Sequence, residues 1–323
     1  MNFKQKGFKT AGVLTAAAAA VALVVPAVKS QDGSVIKIDG SSTVYPITEA
    51  VAEEYQIENQ GATQVTVGVS GTGGGFKKFC SQDEAVRTDI SDASRPIKEE
   101  EMAMCEAAGV EYIEIPVAYD AITVVANPEN PIESMTVEEL NQIWSPESEG
   151  QVTNWSQVNP EWPNADFVLY GPGADSGTFD GFTKNINGEE GASRTDYTPS
   201  EDDNVLVQGV ASDPNALGYF GYSYYEENQD QLKAIPIDNG DGAVAPSVET
   251  VRDGSYQPLS RPIYIYVNAA AAERPEIAEF VEFYLTNAEG LVPEVGSVPL
   301  TSEEYQAGIA KFQNGETGTT AAK

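Results

Sequence analysis

Three short loops of small residues interrupt this chain, each where a strand pattern hands over to a helix pattern. They are Gly40-Ser41-Ser42-Thr43 ahead of Pro46, Ser70-Gly71-Thr72-Gly73-Gly74-Gly75, and Asp175-Ser176-Gly177-Thr178. A chain that repeats this handover is confined to a small set of folds. Alternating strands and helices predict an α/β architecture with largely parallel sheets. In open sheets of that kind ligands bind beyond the carboxyl ends of the strands, where these loops lie.

The spacing supports the reading element by element. Residues 35–38 read as a strand, and Ile47, Ala50, Val51 and Tyr55 follow Pro46 at helical spacing. Val65, Val67 and Val69 alternate as a strand, and Phe76, Phe79 and Cys80 continue as a helix face. Strands are expected at 89–94, 112–116, 167–170, 218–222 and 263–267, and helices at 98–108, 136–144, 205–211 and 277–285. The apolar run 121–126 reads as a buried parallel strand. Thr136 is a good cap for its helix. A Trp/Asn/Pro-rich stretch over 145–163 reads as surface loop, and 314–323 as a disordered tail.

Residues 1–30 carry Lys4, Lys6 and Lys9 before an Ala/Val/Leu run over 11–28, with polar Asp32 and Gly33 beyond. That is the pattern of a secretory signal peptide, cut close to 27–31. The run approaches the ~18 residues read as membrane-spanning, so a retained anchor is the alternative. The 323 residues are enough for two lobes of ordinary domain size.

Taking the four lysines of the leader from the 18 basic residues leaves 14 against 50 acidic ones. Such acidity argues against nucleic-acid binding. It would also oppose the long-range approach of an anion, but salt screens that field over ~8 Å. An anion site would then rest on short-range donors, dipoles and one local cation. Cys80 and Cys105 remain in the exported chain, and an oxidising compartment favours a disulfide over two buried thiols. The chain has no histidine, which removes a Ser-His-Asp triad and imidazole metal ligands. No enzyme, cofactor or metal site is expected.

The loops expose helix-start N–H groups and add hydroxyls, a donor set suited to a small oxyanion. Ser42, Thr43, Ser70, Thr72, Ser176 and Thr178 supply the hydroxyls. Gly71, Gly73 and Gly177 let the backbone close on a ligand without an intervening side chain. Arg95, in a Ser-Arg-Pro turn after a strand, offers a planar fork for two oxygens of a tetrahedral anion. Its alternative is a salt bridge to one of the many carboxylates. Asp175 has two readings: a carboxylate that accepts the hydrogen bond of phosphate's proton and repels sulfate, or a simple helix cap. Asp92 and Asp120 are lesser candidates.

The segments D-G-S-S-T-V-Y-P (39–46), S-G-T-G-G-G-F-K-K-F (70–79), D-I-S-D-A-S-R-P-I (89–97), G-P-G-A-D-S-G-T-F (171–179) and G-Y-F-G-Y (218–222) carry a family resemblance. In this order they resemble the periplasmic phosphate-binding proteins of bacterial phosphate ABC transporters. The resemblance implies a two-lobed type II binding-protein fold, each lobe a mainly parallel sheet flanked by helices. Two crossover strands, 119–122 and 262–266, would join lobe I (31–118 plus 265–323) to lobe II (119–264). It implies a phosphate site at Ser42, Thr43, Val44, Ser70, Thr72, Gly73, Arg95, Asp175, Ser176, Gly177 and Thr178.

Two departures stand out. Many members carry Arg shortly before Ser-Gly-Thr, where this chain has Pro172 and Gly173. Many carry Asp after Ser in the segment matching 93–96, where this chain has Arg95. The expectation is that the two charges have exchanged loops, as Arg95 and Asp175.

The expected function is binding of inorganic phosphate outside the inner membrane by a periplasmic monomer. No ATP-binding motif is present, so a membrane permease and an ATPase would power transport. The alternatives are a secreted phosphate sensor or scavenger, or a binder of another tetrahedral oxyanion.

Overall fold

The computed structural model describes residues 34–174 and 176–319. The expected signal segment, residues 1–30, lies outside the described residues, as does Asp175.

Strand β1 (Ser34–Gly40) runs into helix α1 (Tyr45–Glu58), which starts with Pro46 in its first turn. Ile47, Val51 and Tyr55 bury one stripe of α1. Strand β2 (Thr63–Val69) feeds α2 (Gly71–Phe79), and β3 (Ile90–Ala93) is followed by α3 (Glu99–Ala108). Next come the long strand β4 (Tyr112–Ala126) and α4 (Val137–Trp144). Thr136 caps α4 by accepting the Glu139 N–H at 3.0 Å, as expected from the sequence.

The second half repeats the theme. Strand β5 (Val168–Pro172) leads to α5 (Gly177–Phe182), β6 (Thr198–Ser200) to α6 (Asp203–Ser212), and β7 (Ala216–Gly221) follows. Strand β8 (Ser260–Asn268) then returns to the first half, where α7 (Pro275–Glu294) packs on α1 through an edge-to-face contact of Tyr55 with Phe280, centroids 5.3 Å apart. A short strand β9 (Val298–Pro299) precedes α8 (Ser302–Gln313). No element is expected there from the sequence, because only Tyr305, Gly308 and Phe312 mark its buried side.

The main sheet has the order β2-β1-β3-β8-β4-β7-β5-β6. Its ends are parallel triplets or pairs: β2, β1 and β3 in one lobe, β7, β5 and β6 in the other. Between them β8 and β4 run antiparallel to each other and pass between the lobes. One core contains Ile36, Ile115, Val117, Ala118 and Ile263, and another contains Ala121, Ile122, Val124 and Leu259. Core membership thus changes within β4 and at the start of β8, the two crossover strands of the two-lobed fold.

Residues 121–126 are buried as expected but antiparallel to β7. A crossover strand is covered on both faces whatever its pairing direction, so its apolar run does not report direction. Nor do 112–116 and 121–126 form separate strands. Pro116 lies inside β4, opposite Tyr264 where the register with β8 shifts, a place where a missing N–H is tolerated. In the C-terminal segment, the Gly318 N–H donates to the Tyr112 carbonyl at 2.8 Å. Cys80 and Cys105 are joined in a disulfide that ties the end of α2 to α3.

Candidate anion site

Each of the three loops follows a parallel strand at its carboxyl end. Gly40 ends β1 with no room for a side chain, because a β-carbon there would sit 2.1 Å from the Asp92 carbonyl oxygen. That close approach lets Ser41 N–H donate to the same carbonyl at 3.0 Å. The Ser41 hydroxyl accepts Thr43 N–H at 3.2 Å and shapes the turn into α1. Neither α1 nor α2 has a side-chain cap, which leaves their first-turn N–H groups without that partner. In the third loop Ser176 is the cap, accepting Thr178 N–H at 3.1 Å and Phe179 N–H at 3.5 Å.

The loops meet around Ser42 and Thr43. Ser42 donates its hydroxyl to Asp180 of α5 at 2.9 Å, and Thr43 donates to the Gly177 carbonyl at 3.5 Å. The second loop joins the Ser-Arg-Pro turn: Thr72 and Ser94 hydroxyls lie 3.2 Å apart, and Ser94 N–H donates to Thr72 at 3.1 Å.

Two cavities share Ser42 and Thr43, and their charges are opposite. The smaller, about 380 Å³, adds Thr72, Gly73 and Ser94 and is lined by Arg95, Lys98, Lys184 and Arg261, with Asp180 and Glu190 as its acids. The larger, about 700 Å³, adds Ser176, Gly177 and Thr178 and is lined by Asp120, Glu201, Asp203 and Glu294 without a cation. Burial first, then the charges of Asp202 and Glu201, push the Asp203 carboxyl up to about 6. An anion entering between the loops is thus repelled on one side and attracted on the other.

The structure therefore brings Ser42, Thr43, Thr72, Gly73 and Arg95 to the basic cavity. It puts Ser176, Gly177 and Thr178 against the same turn from the acidic side. Val44 is fully buried in the first core. Ser70 lines neither cavity and donates its hydroxyl to Asp39, which also pairs with Lys78.

Arg95 is engaged. Its Nη1 and Nη2 donate to the two carboxylate oxygens of Glu101, each at 2.8 Å. That hydrogen bond first, with burial opposing it, holds the Arg95 guanidinium above its ordinary range. Burial pushes Glu101 upward, but hydrogen bonds from Arg95 and the Lys98 N–H outweigh it and hold the carboxyl low.

Arg261, Lys98, Lys184 and Asp180 are missed by the sequence reading. One signal was present: Ser-Arg-Pro-Ile occurs twice, at 94–97 and 260–263, and both arginines line the same cavity. Arg261 donates through Nε to Asp120 at 3.2 Å and through Nη2 to the Thr43 hydroxyl at 3.4 Å. Burial raises the Asp120 carboxyl while the Arg261 charge opposes it.

Among the described residues no group of three or more His, Cys, Asp or Glu is placed to hold a metal ion. Among them, too, no helix is long and apolar enough to cross a membrane.

Known proteins share this architecture. Residues 26–288 match the PBP superfamily domain. Protein SphX of Synechocystis sp. is 53% identical over 292 residues, covering 90% of this chain and 85% of SphX. Phosphate-binding protein PstS of Staphylococcus saprophyticus is 38% identical over 282 residues, covering 86% of this chain and 84% of PstS. The crystal structure of a possible phosphate binding protein from Planctomyces limnophilus superposes with a TM-score of 0.82 at 45% identity, covering 88% of this chain and 99% of that one. With a superfamily domain over most of its length and relatives aligned almost end to end, the chain belongs to the PBP superfamily, in the family that holds SphX and the PstS phosphate-binding proteins.

Proposed function

We propose that this protein binds inorganic phosphate between its lobes, at the basic cavity beside Ser42 and Thr43, and delivers it to a phosphate ABC transporter. One observation carries the reading. Of 14 basic residues beyond position 30, four face a single cavity that also collects the Ser/Thr/Gly loops. In so acidic a chain that concentration is a local device for an anion, since charge-assisted donors at short range are the strong ones.

The ligand set comprises Ser42, Thr43 and the Val44 backbone from the first loop, Thr72 and Gly73 from the second, and Ser176, Gly177 and Thr178 from the third. Arg95 lines its cavity, whereas Ser70 is tied to Asp39 away from it. Relatives named as phosphate-binding proteins support phosphate over other oxyanions. The leader pattern supports a periplasmic location. A binding role without catalysis fits a chain that has no histidine. Carrying no nucleotide-binding loop, a monomer of this kind hands its ligand to a permease and an ATPase.

Titration calorimetry with phosphate and sulfate tests the proposal. Tight one-to-one heat with phosphate and none with sulfate is expected. Equal binding of both, or of neither, would refute it.

A further inference from the structure

Two arginines line the basic cavity, and their surroundings differ. Both terminal nitrogens of Arg95 are committed to Glu101, and Nη1 also donates to the Pro96 carbonyl at 3.1 Å. The Glu101 side chain is only 8% exposed. Turning Arg95 toward a ligand would strand that buried carboxylate, the costly half of a broken buried pair.

Arg261 is held differently. It stands on β8 directly opposite Asp120 on β4, so the pair spans the two crossover strands. Asp120 accepts from Nε, the inner nitrogen, which leaves the two outer nitrogens to other partners. Of these the one paired donor is Nη2, at 3.4 Å from Thr43, the long limit of a hydrogen bond. Among the described residues no acceptor is paired with Nη1. Helix α5 lies against the same group: a β-carbon at Gly181 would be 3.2 Å from Arg261 Nη2 and 3.6 Å from Asp120 Oδ2. The guanidinium therefore touches the first loop from one lobe and α5 from the other.

We infer that Arg261, rather than Arg95, is the guanidinium that coordinates the bound anion, with both N–H groups of Nη1 and the second of Nη2 available to tetrahedral oxygens where the lobes meet. This rests on the phosphate reading above and names the cation that carries it. Arg95 then belongs to the wall of the cavity, where it braces Glu101 and the Ser-Arg-Pro turn.

Calorimetric titration of inorganic phosphate into wild type, Arg261→Gln and Arg95→Gln separates the two, with thermal melts run alongside. Arg261→Gln should weaken binding by about 100-fold or more, as expected for two charged hydrogen bonds, and Arg95→Gln by less than about 10-fold. Should Arg261→Gln fail to melt cooperatively, Arg261→Lys takes its place; it keeps the charge, loses the fork, and should still weaken binding at least about 10-fold. A greater loss in Arg95→Gln, or unchanged affinity in the folded Arg261 variant, overturns the assignment. Wild-type protein that ignores phosphate would sink the functional proposal and this assignment together. Wild-type binding that survives in Arg261→Gln sinks the assignment alone.

Discussion

Gly177 and Thr43 meet main chain to main chain: a β-carbon at 177 would lie 2.7 Å from both the backbone nitrogen and the α-carbon of Thr43. Neither atom belongs to a flexible side chain that could swing aside. The third loop can therefore close on the first only while position 177 is bare. Gly177→Ala should push the loops apart and lower phosphate affinity at least about 10-fold. Crowding of this size costs about 1–3 kcal/mol, so the melting temperature should fall by no more than roughly 10 °C. Calorimetric titration of the folded variant decides; full affinity would mean that the two loops do not act together.

Asp180 stands in the basic cavity and already accepts the Ser42 hydroxyl at 2.9 Å. A carboxylate there can accept a hydrogen bond from the proton that phosphate keeps near neutral pH, and it meets sulfate with charge alone. Asp180→Asn should narrow the preference for phosphate over sulfate by about 10-fold, mainly by admitting sulfate. Competition binding at constant ionic strength checks this, with Asp175→Asn as the matched comparison. If only the Asp175 variant shifts the ratio, the selecting carboxylate lies in the third loop.

Local signals in the sequence were sufficient for most of the fold. Thr136 with Glu139, Pro46 with the Ile47/Val51/Tyr55 stripe, and the strand-to-loop handovers each act within a few residues, and each appears in the structure. What stayed hidden depends on distant partners. The apolar run in β4 looks the same whether its neighbours are parallel or antiparallel. Arg261 gains meaning only because the register of β8 sets it opposite Asp120, 141 residues away, and the first loop brings Thr43 to it. Helix α8 was missed because its buried stripe is thin and includes a glycine.

The Cys80–Cys105 disulfide closes a 25-residue separation. By chain entropy such a loop restricts the unfolded state by about 3 kcal/mol. It joins α2 to α3, behind the loop residues rather than among them. Replacing both cysteines with alanine should lower the melting temperature by about 5–10 °C and leave phosphate affinity within about threefold. Scanning calorimetry and titration on the same samples test both halves, and a large affinity loss at unchanged stability would contradict this division.

Asp92 sets a pH dependence whose sign is opposite to that of a paired surface carboxylate. It is 1% exposed, and neither carboxylate oxygen has a partner of ordinary hydrogen-bond geometry. Burial pushes the group up to about 8; the nearby Thr48 hydroxyl draws it back in part, and the charge of Asp39 adds to the rise. The Thr48 and Tyr284 hydroxyls, 3.2 Å apart, complete this buried polar group. In the unfolded chain the carboxyl loses its proton near pH ~4, whereas the native state keeps it to about 8. The native state binds more protons within that window, so this contribution to stability falls as pH rises and levels off above it. Asparagine resembles the protonated carboxyl in shape and charge. Asp92→Asn should therefore match wild type near pH 4 and melt at least about 4 °C higher at pH 8. Melting curves of the two proteins across that range give the answer: a gap that fails to widen with pH would mean that Asp92 carries no such penalty.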